Sequence, residues 1–159
     1  MDGLAKPGPP ARAYGPRMID SSIVGREIGC VSFPLDRSKL AELSKALGDP
    51  DPAWWAPDSP APPTVTVIAD HWREGGVAGL VDAIGVDLAR VLHGEVSFEY
   101  LAPVRAGDEL TARQVVSDVT TREGKRGGAM TFVTVDTEFT NQHGELAVRR
   151  TDTLIEREV

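Results

Sequence analysis

The chain has 159 residues, 41% hydrophobic and 26% charged, the size and balance of one soluble domain with one core. Lys and Arg number 17 against 24 Asp and Glu, a net charge of −7, which speaks against nucleic acid or an anionic membrane as a partner. The single cysteine, Cys30, excludes an intrachain disulfide and a cysteine zinc cage and suits a reducing compartment. With no apolar stretch near the ~20 residues of a membrane span, and no apolar signal-peptide core, the expectation is a cytoplasmic protein.

Residues 1–17 hold Pro7, Pro9, Pro10 and Pro16 among glycines and have little to bury. They are expected to form a mobile tail, with residues 18–159 as a single domain. Residues 25–35 read as a short strand through Ile28, Val31 and Phe33. Asp36 then stands as an N-cap for a helix over 37–47, with Leu40, Leu43 and Leu47 on one face and Gly48 at its end. Six prolines between Pro50 and Pro63 allow neither a helix interior nor a central strand, so this stretch is an ordered loop or strap. Residues 64–72 are open between two readings: alternating Val and Thr suit a strand, and Pro63 at a first turn suits a helix.

Further on, residues 95–101 alternate, with Val96, Phe98 and Tyr100 on one face. Residues 106–108 make a turn. Strands over 110–120, 129–140 and 146–156 follow, joined by turns at 124–128 and 141–144. Four consecutive strands predict an antiparallel meander, and helices concentrated in the first half make the class α+β. One face of such a sheet needs a cover, and residues 64–72 are the candidate.

The search for chemistry excludes more than it finds. There is no Gly-x-Ser-x-Gly and no phosphate loop, and the glycine-rich run 74–79 follows no clear strand. His71, His93 and His143 show no metal-ligand spacing. Cys30 reads as a small apolar strand residue, and His143 as a solvated turn residue. Asp49 and Asp51 flank Pro50 just past a helix end; they serve either as loop caps or as carboxylates projected into a cleft. His71, beside Asp70, is a core or surface histidine or a site residue. Trp54 and Trp55 must pack on something: the core, an acyl chain or a partner subunit. Arg122, Lys125 and Arg126 are a solvated hairpin or a phosphate contact.

The order of elements resembles the hotdog fold, an antiparallel sheet of about five strands wrapped around a central helix. More narrowly, the chain resembles the MaoC-like hydratases and dehydratases, which act on acyl thioesters. Leu47-Gly48-Asp49-Pro50-Asp51-Pro52 stands where that family has Gly-Asp-x-Asn-Pro. Ala61-Pro62-Pro63-Thr64 opens the family's central helix, which turns the ambiguity over 64–72 toward helix. Leu92-His93-Gly94-Glu95, then Phe98, Tyr100, Pro103-Val104, Gly107-Asp108 and Leu110, match its strand, turn and strand. This third stretch is the most specific to the N-terminal-type dehydratase branch. The resemblance covers residues 23–156.

The departures from the family pattern carry meaning. The family motif continues to a histidine five positions after the aspartate, and here that position is Trp54; the family's Asn is Asp51. The loop from 55 to 63 is short for the family's small helix. Asp51-x-Ala53-Trp54-Trp55 resembles the non-catalytic subunit of mycobacterial-type (3R)-hydroxyacyl dehydratases, whose partner supplies the Asp/His pair. A histidine titrates near neutral pH and can move a proton, whereas an indole N–H only donates.

The resemblance therefore implies a hotdog subunit of an (R)-specific enoyl hydratase or 3-hydroxyacyl dehydratase, the structural half of a heteromer, in fatty acid or sterol metabolism. It implies no cofactor; an acyl-CoA or acyl-carrier-protein thioester is the substrate. Asp49 is the remnant of the catalytic pair. Trp54, Trp55, Pro63, Thr64, Val65, His71, His93, Arg122, Lys125 and Arg126 are the substrate-binding candidates, with the N–H groups of Thr64 and Val65 directed at the thioester oxygen. Other expectations keep the fold: a homodimer, a self-sufficient hydratase using Asp49 with His71 or His93, or an acyl-CoA-binding or thioesterase-type hotdog. An open edge strand is expected to pair with a second hotdog, so the lone chain is not the working unit.

Overall fold

The structure is a computed structural model that describes residues 19–49, 51–124 and 128–158. The expected mobile tail over 1–17 lies outside these residues, as do Lys125 and Arg126. In chain order the elements are β1 (Glu27–Pro34), α1 (Arg37–Ala46), α2 (Ile68–Trp72), α3 (Gly76–Ile84), β2 (Val91–Tyr100), β3 (Glu109–Glu123), β4 (Ala129–Thr140) and β5 (Leu146–Arg157). The strands form one antiparallel sheet in the order β1-β3-β4-β5-β2. No described helix is long and apolar enough to cross a membrane.

The expected four-strand meander is corrected by this order. Only β3, β4 and β5 are consecutive neighbours; β2 pairs with β5 at the far edge, and β1 takes the free side of β3. The chain between β2 and β3 therefore runs across the end of the sheet instead of making a hairpin. It buries Ala102 and Val104, and Val104 accepts a hydrogen bond from the Ala61 N–H (2.8 Å). The turn at 106–108 is present, with Gly107 at φ 94°.

α1 begins where Asp36 Oδ1 accepts from the Lys39 N–H (3.0 Å), capping a free first-turn donor. Leu40 is fully buried, but Leu47, at the end of the expected stripe, is 55% exposed because the helix has ended.

The cover over the sheet is helical, as the resemblance implies, but it is not one helix. A 3-10 turn at Val65–Val67 leads into α2, which stops at Arg73 in an extended conformation (ψ 155°). Gly75 and Gly76 then take positive φ values of 75° and 56°, and α3 starts in a new direction. Both glycines adopt a region that costs other residues dearly. The turn is tight: a Cβ on Gly79 would lie 2.4 Å from the Glu74 carbonyl oxygen.

The core lies between cover and sheet in two parts. One gathers Phe33, Leu40, Val65, Ala69, Leu110, Phe139 and Val148; the other gathers Val81, Ile84, Val116, Val133 and Val135. Across the sheet between them runs a polar row. Gln114 pairs with Thr137, and Thr137 with Arg150, so the three stand side by side on the inner face. All are buried, Arg150 at 1% exposure.

β2 differs from the other strands in being exposed along most of its length. Val96, Phe98 and Tyr100 pair with the buried Asp152, Arg150 and Val148, so they share the inner face. The helical cover does not reach them fully: Val96 is 38% and Tyr100 40% exposed.

Candidate functional site

Past α1 the chain turns at Gly48 (φ 73°). The Asp49 N–H donates to the Ser44 carbonyl (3.0 Å), and Asp49 Oδ1 accepts from the Asp51 N–H (3.1 Å). Asp51 Oδ1 in turn accepts from the Ala53 N–H (2.8 Å) and caps a 3-10 turn over Pro52–Trp55. Both carboxylates are exposed and engaged in turn formation. Trp54 is half-buried, and its Nε1–H has no hydrogen-bond partner among the described residues; Trp55 is 58% exposed. The two indoles thus separate, one turned inward and one left on the surface.

At the start of the cover, Pro63 is exposed and Thr64 half-buried with an unpartnered hydroxyl. The Val65 N–H donates to the Pro62 carbonyl (2.9 Å), and the Val65 side chain is fully buried. Of the two N–H groups expected to face a thioester, that of Val65 is therefore already taken up within the turn. The Tyr100 hydroxyl donates to the Pro63 carbonyl (2.6 Å), which ties β2 to this end of the cover. Partial burial pushes the Tyr100 phenol above its ordinary pKa. Beside it a cavity of about 370 Å³ is lined by Pro60, Ala61, Tyr100, Leu101, Pro103 and Arg105.

The densest polar chemistry lies elsewhere, in the row that divides the core. Arg150 donates through Nη2 to Asp70 Oδ1 (2.8 Å), through Nε to Asp152 Oδ2 (2.7 Å) and through Nη1 to the Thr66 carbonyl (3.0 Å). Burial disfavours the guanidinium charge, but the hydrogen bonds and charges of Asp70 and Asp152 outweigh it and hold the Arg150 pKa above its ordinary value. Gln114 donates to Asp70 (3.3 Å) and accepts from Arg73 Nη1 (2.9 Å), whose Nη2 reaches the Ile28 carbonyl (2.8 Å). Gly29 makes room for this, since a Cβ there would meet Arg73 Nη2 at 3.0 Å. At the other end, His93 Nε2 lies 3.1 Å from Asp152 Oδ1. The row thus crosses the whole sheet, from β1 to β2.

The remaining candidates are scattered. His71 is exposed, with Nδ1 3.2 Å from the Val67 carbonyl of its own helix. Arg122 holds its guanidinium over the Phe132 ring at 5.2 Å. His143 is a turn residue whose N–H donates to Asn141 Oδ1 (3.0 Å). Cys30 is free and exposed on β1. Among the described sequence candidates, only His93 joins the polar row.

Sequence reasoning passed over Arg73, Gln114, Arg150 and Asp152, although a signal was present. In β5 the buried positions alternate through Val148, Arg150, Asp152 and Leu154. A charged pair on the inward parity of an alternating strand must be paired, because burying a lone charge is prohibitive.

The family described as "FAS1-like, dehydratase domain region" matches residues 22–150. A UPF0336 protein of Streptomyces avermitilis is 31% identical over 149 residues, covering 87% of this chain and 95% of the relative. Among solved structures, the C-terminally truncated HadBC (3R-hydroxyacyl-ACP dehydratase) complex of Mycobacterium tuberculosis is similar with a TM-score of 0.64 and 22% identity, over 83% of this chain and 96% of that one. The ChsH1-ChsH2 complex of the same organism gives 0.59 and 17%, over 86% and 99%. The five-stranded antiparallel sheet with its helical cover is the fold these structures share. The chain belongs to the FAS1-like dehydratase-region family and has the MaoC-like hotdog fold.

Proposed function

We propose that the chain is one subunit of an acyl-thioester (R)-specific enoyl hydratase or 3-hydroxyacyl dehydratase, forming wall and support beside a second hotdog that holds an intact Asp/His pair. The observation that carries this is the loop after α1. Asp49 is bound into its own turn, and Trp54 stands where the family has histidine. Adding water to an enoyl thioester needs a group that takes a proton from water and donors for the enolate oxygen. The indole can do only the second. No cofactor enters this chemistry; the CoA or carrier-protein thioester is the substrate.

The open β2 edge supports a hotdog partner, and two structurally similar proteins are described as complexes, HadBC and ChsH1-ChsH2. Pairing at β2 would satisfy its free backbone edge and set a second subunit beside its inner face. The single free cysteine supports a reducing, cytoplasmic setting.

The test is hydration of crotonyl-CoA and longer enoyl-CoAs by the chain alone and after co-expression with a hotdog carrying Gly-Asp-x-Asn-Pro-x-His. Activity only with the partner, surviving Asp49→Asn in this chain, fits the proposal. Weak activity gained by Trp54→His would fit it as well. Robust turnover by the lone chain that collapses in Asp49→Asn would overturn it, and thioester cleavage by the lone chain would favour a thioesterase.

A further inference from the structure

We propose that His93 and Asp152 form an acid–base dyad, a second proton-transfer site on the inner face of β2, away from the loop that lost its histidine. The thioester class of its substrate rests on the reading above; the dyad itself does not.

The geometry has three parts. Asp152 is 9% exposed and its two oxygens are divided between partners: Oδ2 accepts from Arg150 Nε, and Oδ1 lies 3.1 Å from His93 Nε2. Arg150 is itself fixed by Asp70 and the Thr66 carbonyl, so the carboxylate is held from behind. The His93 side chain, by contrast, is 54% exposed. With the Nε2–H given to the carboxylate, the neutral ring keeps its lone pair on Nδ1. A buried carboxylate orienting an accessible imidazole is the arrangement a general base requires.

The second part is the backbone. The register of β2 against β5 shifts between His93 and Glu95. Gly94 lies in that irregularity, and a Cβ on it would meet Ile155 Cδ1 at 2.7 Å. Bulges of this kind re-aim the side chain beside them.

The third part is the floor. Val96, Phe98 and Tyr100 continue along the same face from His93 to the start of the cover, and Val96 and Tyr100 are well exposed. That is an apolar track on which an acyl chain can lie with its reacting carbons at the dyad. A partner strand added to β2 bonds in the plane of the sheet, so this track becomes the floor of the cleft between two subunits.

On an enoyl thioester the step balances without a redox partner. His93 Nδ1 takes a proton from water as the oxygen bonds to Cβ, and the double-bond electrons move onto Cα and the thioester carbonyl. The imidazolium then returns the proton to Cα. Dehydration is the reverse.

The chain supplies its own controls, because its other two histidines, His71 and His143, are also exposed. Hydrolysis of p-nitrophenyl acetate by the purified full chain reads an accessible imidazole nitrogen with a free lone pair, without any assumption about the natural substrate. His93→Gln is expected to lower this rate by an order of magnitude or more, with His71→Gln and His143→Gln near wild type. Asp152→Asn should lower it as well. If that variant does not fold, the exposed His93→Gln still decides. Equal losses in all three histidine variants, or none in His93→Gln, would overturn the dyad. Enoyl-CoA hydration by the chain with its partner, the partner's own catalytic histidine replaced by Gln, is then compared for wild type and His93→Gln. A fall on the order of 10²-fold in kcat supports the dyad as a group acting on substrate. Unchanged hydration in His93→Gln overturns it. Hydrolysis that depends on His93, with no hydration by any form, leaves the dyad standing and removes the thioester reading.

Discussion

Asp49 and Asp152 are both aspartates beside a candidate site, and their surroundings could hardly differ more. Asp49 is exposed, follows a helix end and accepts from the Asp51 N–H two residues on. Asp152 is buried, lies mid-strand and is shared by Arg150 and His93. The first carboxylate makes a turn; the second closes a charge network that crosses the sheet. A motif position tells which residue stands there, but its anchoring decides what it can do. The same contrast extends to Asp36, an exposed helix cap like many others.

The contrast breaks most visibly at Arg150. Arg150→Met would leave the partly buried Asp70 and the buried Asp152 without their cation, and breaking a buried pair from one side costs about 3–5 kcal/mol. Urea unfolding should show the loss as a lower midpoint, with the slope unchanged if the two-state fold persists. A loss under 1 kcal/mol would mean that water reaches the row and that its charges are not buried. Asp152→Asn is milder. Asp70 and the Thr66 carbonyl still hold Arg150, and Asn keeps an acceptor oxygen, so the expected loss is about 2 kcal/mol.

These buried charges also mark where sequence reading ends. α1 and β4 were legible because each carries local signals: the Asp36 cap and leucine spacing, and the Val- and Thr-rich run of Ala129–Thr140 between two turns. The break in the cover was not read, because the glycine-rich run 74–79 was weighed only as a phosphate-binding motif, and the positive φ of Gly75 and Gly76 is a property of the folded chain. The place of β2 was not read either. Its pairing with β5 across the sheet is a long-range choice that adjacency in sequence points away from. Asp49 drew attention through its motif, whereas Asp152 lay in an ordinary alternating strand. Its partners come from three separate elements, α2 through Asp70 by way of Arg150, β5 and β2, and only the fold brings them together.

Asp36 tests the exposed side of the comparison. Asp36→Ala removes the acceptor for the Lys39 N–H, a loss of about 1 kcal/mol. Hydrogen bonds from Ser38 and then the Lys39 N–H, with the nearby Lys39 charge, hold its pKa below the ordinary 3.8. A carboxylate with a lowered folded pKa stabilises the fold above its unfolded value. It loses that contribution as the pH falls from about 3.8 through the lower folded value. Wild type and Asp36→Ala should therefore differ at neutral pH and converge in acid. A difference that persists unchanged at pH 2 would place its source outside the carboxylate charge.

The smallest effect is expected at Asp49, and it completes the comparison because the substitution is the one made at Asp152. Asn retains the side-chain oxygen that accepts from the Asp51 N–H, and it is as well suited to such a turn as Asp. Asp49 is exposed, and among the described residues no buried cation is paired with it. Asp49→Asn should thus leave stability within about 0.5 kcal/mol of wild type, the usual range for surface changes. Paired urea curves for Asp49→Asn and Asp152→Asn measure the gap between a carboxylate that shapes a loop and one that neutralises a core. Similar losses for both would show that Asp49 has a charged partner in solution and would return the loop after α1 to the list of working sites.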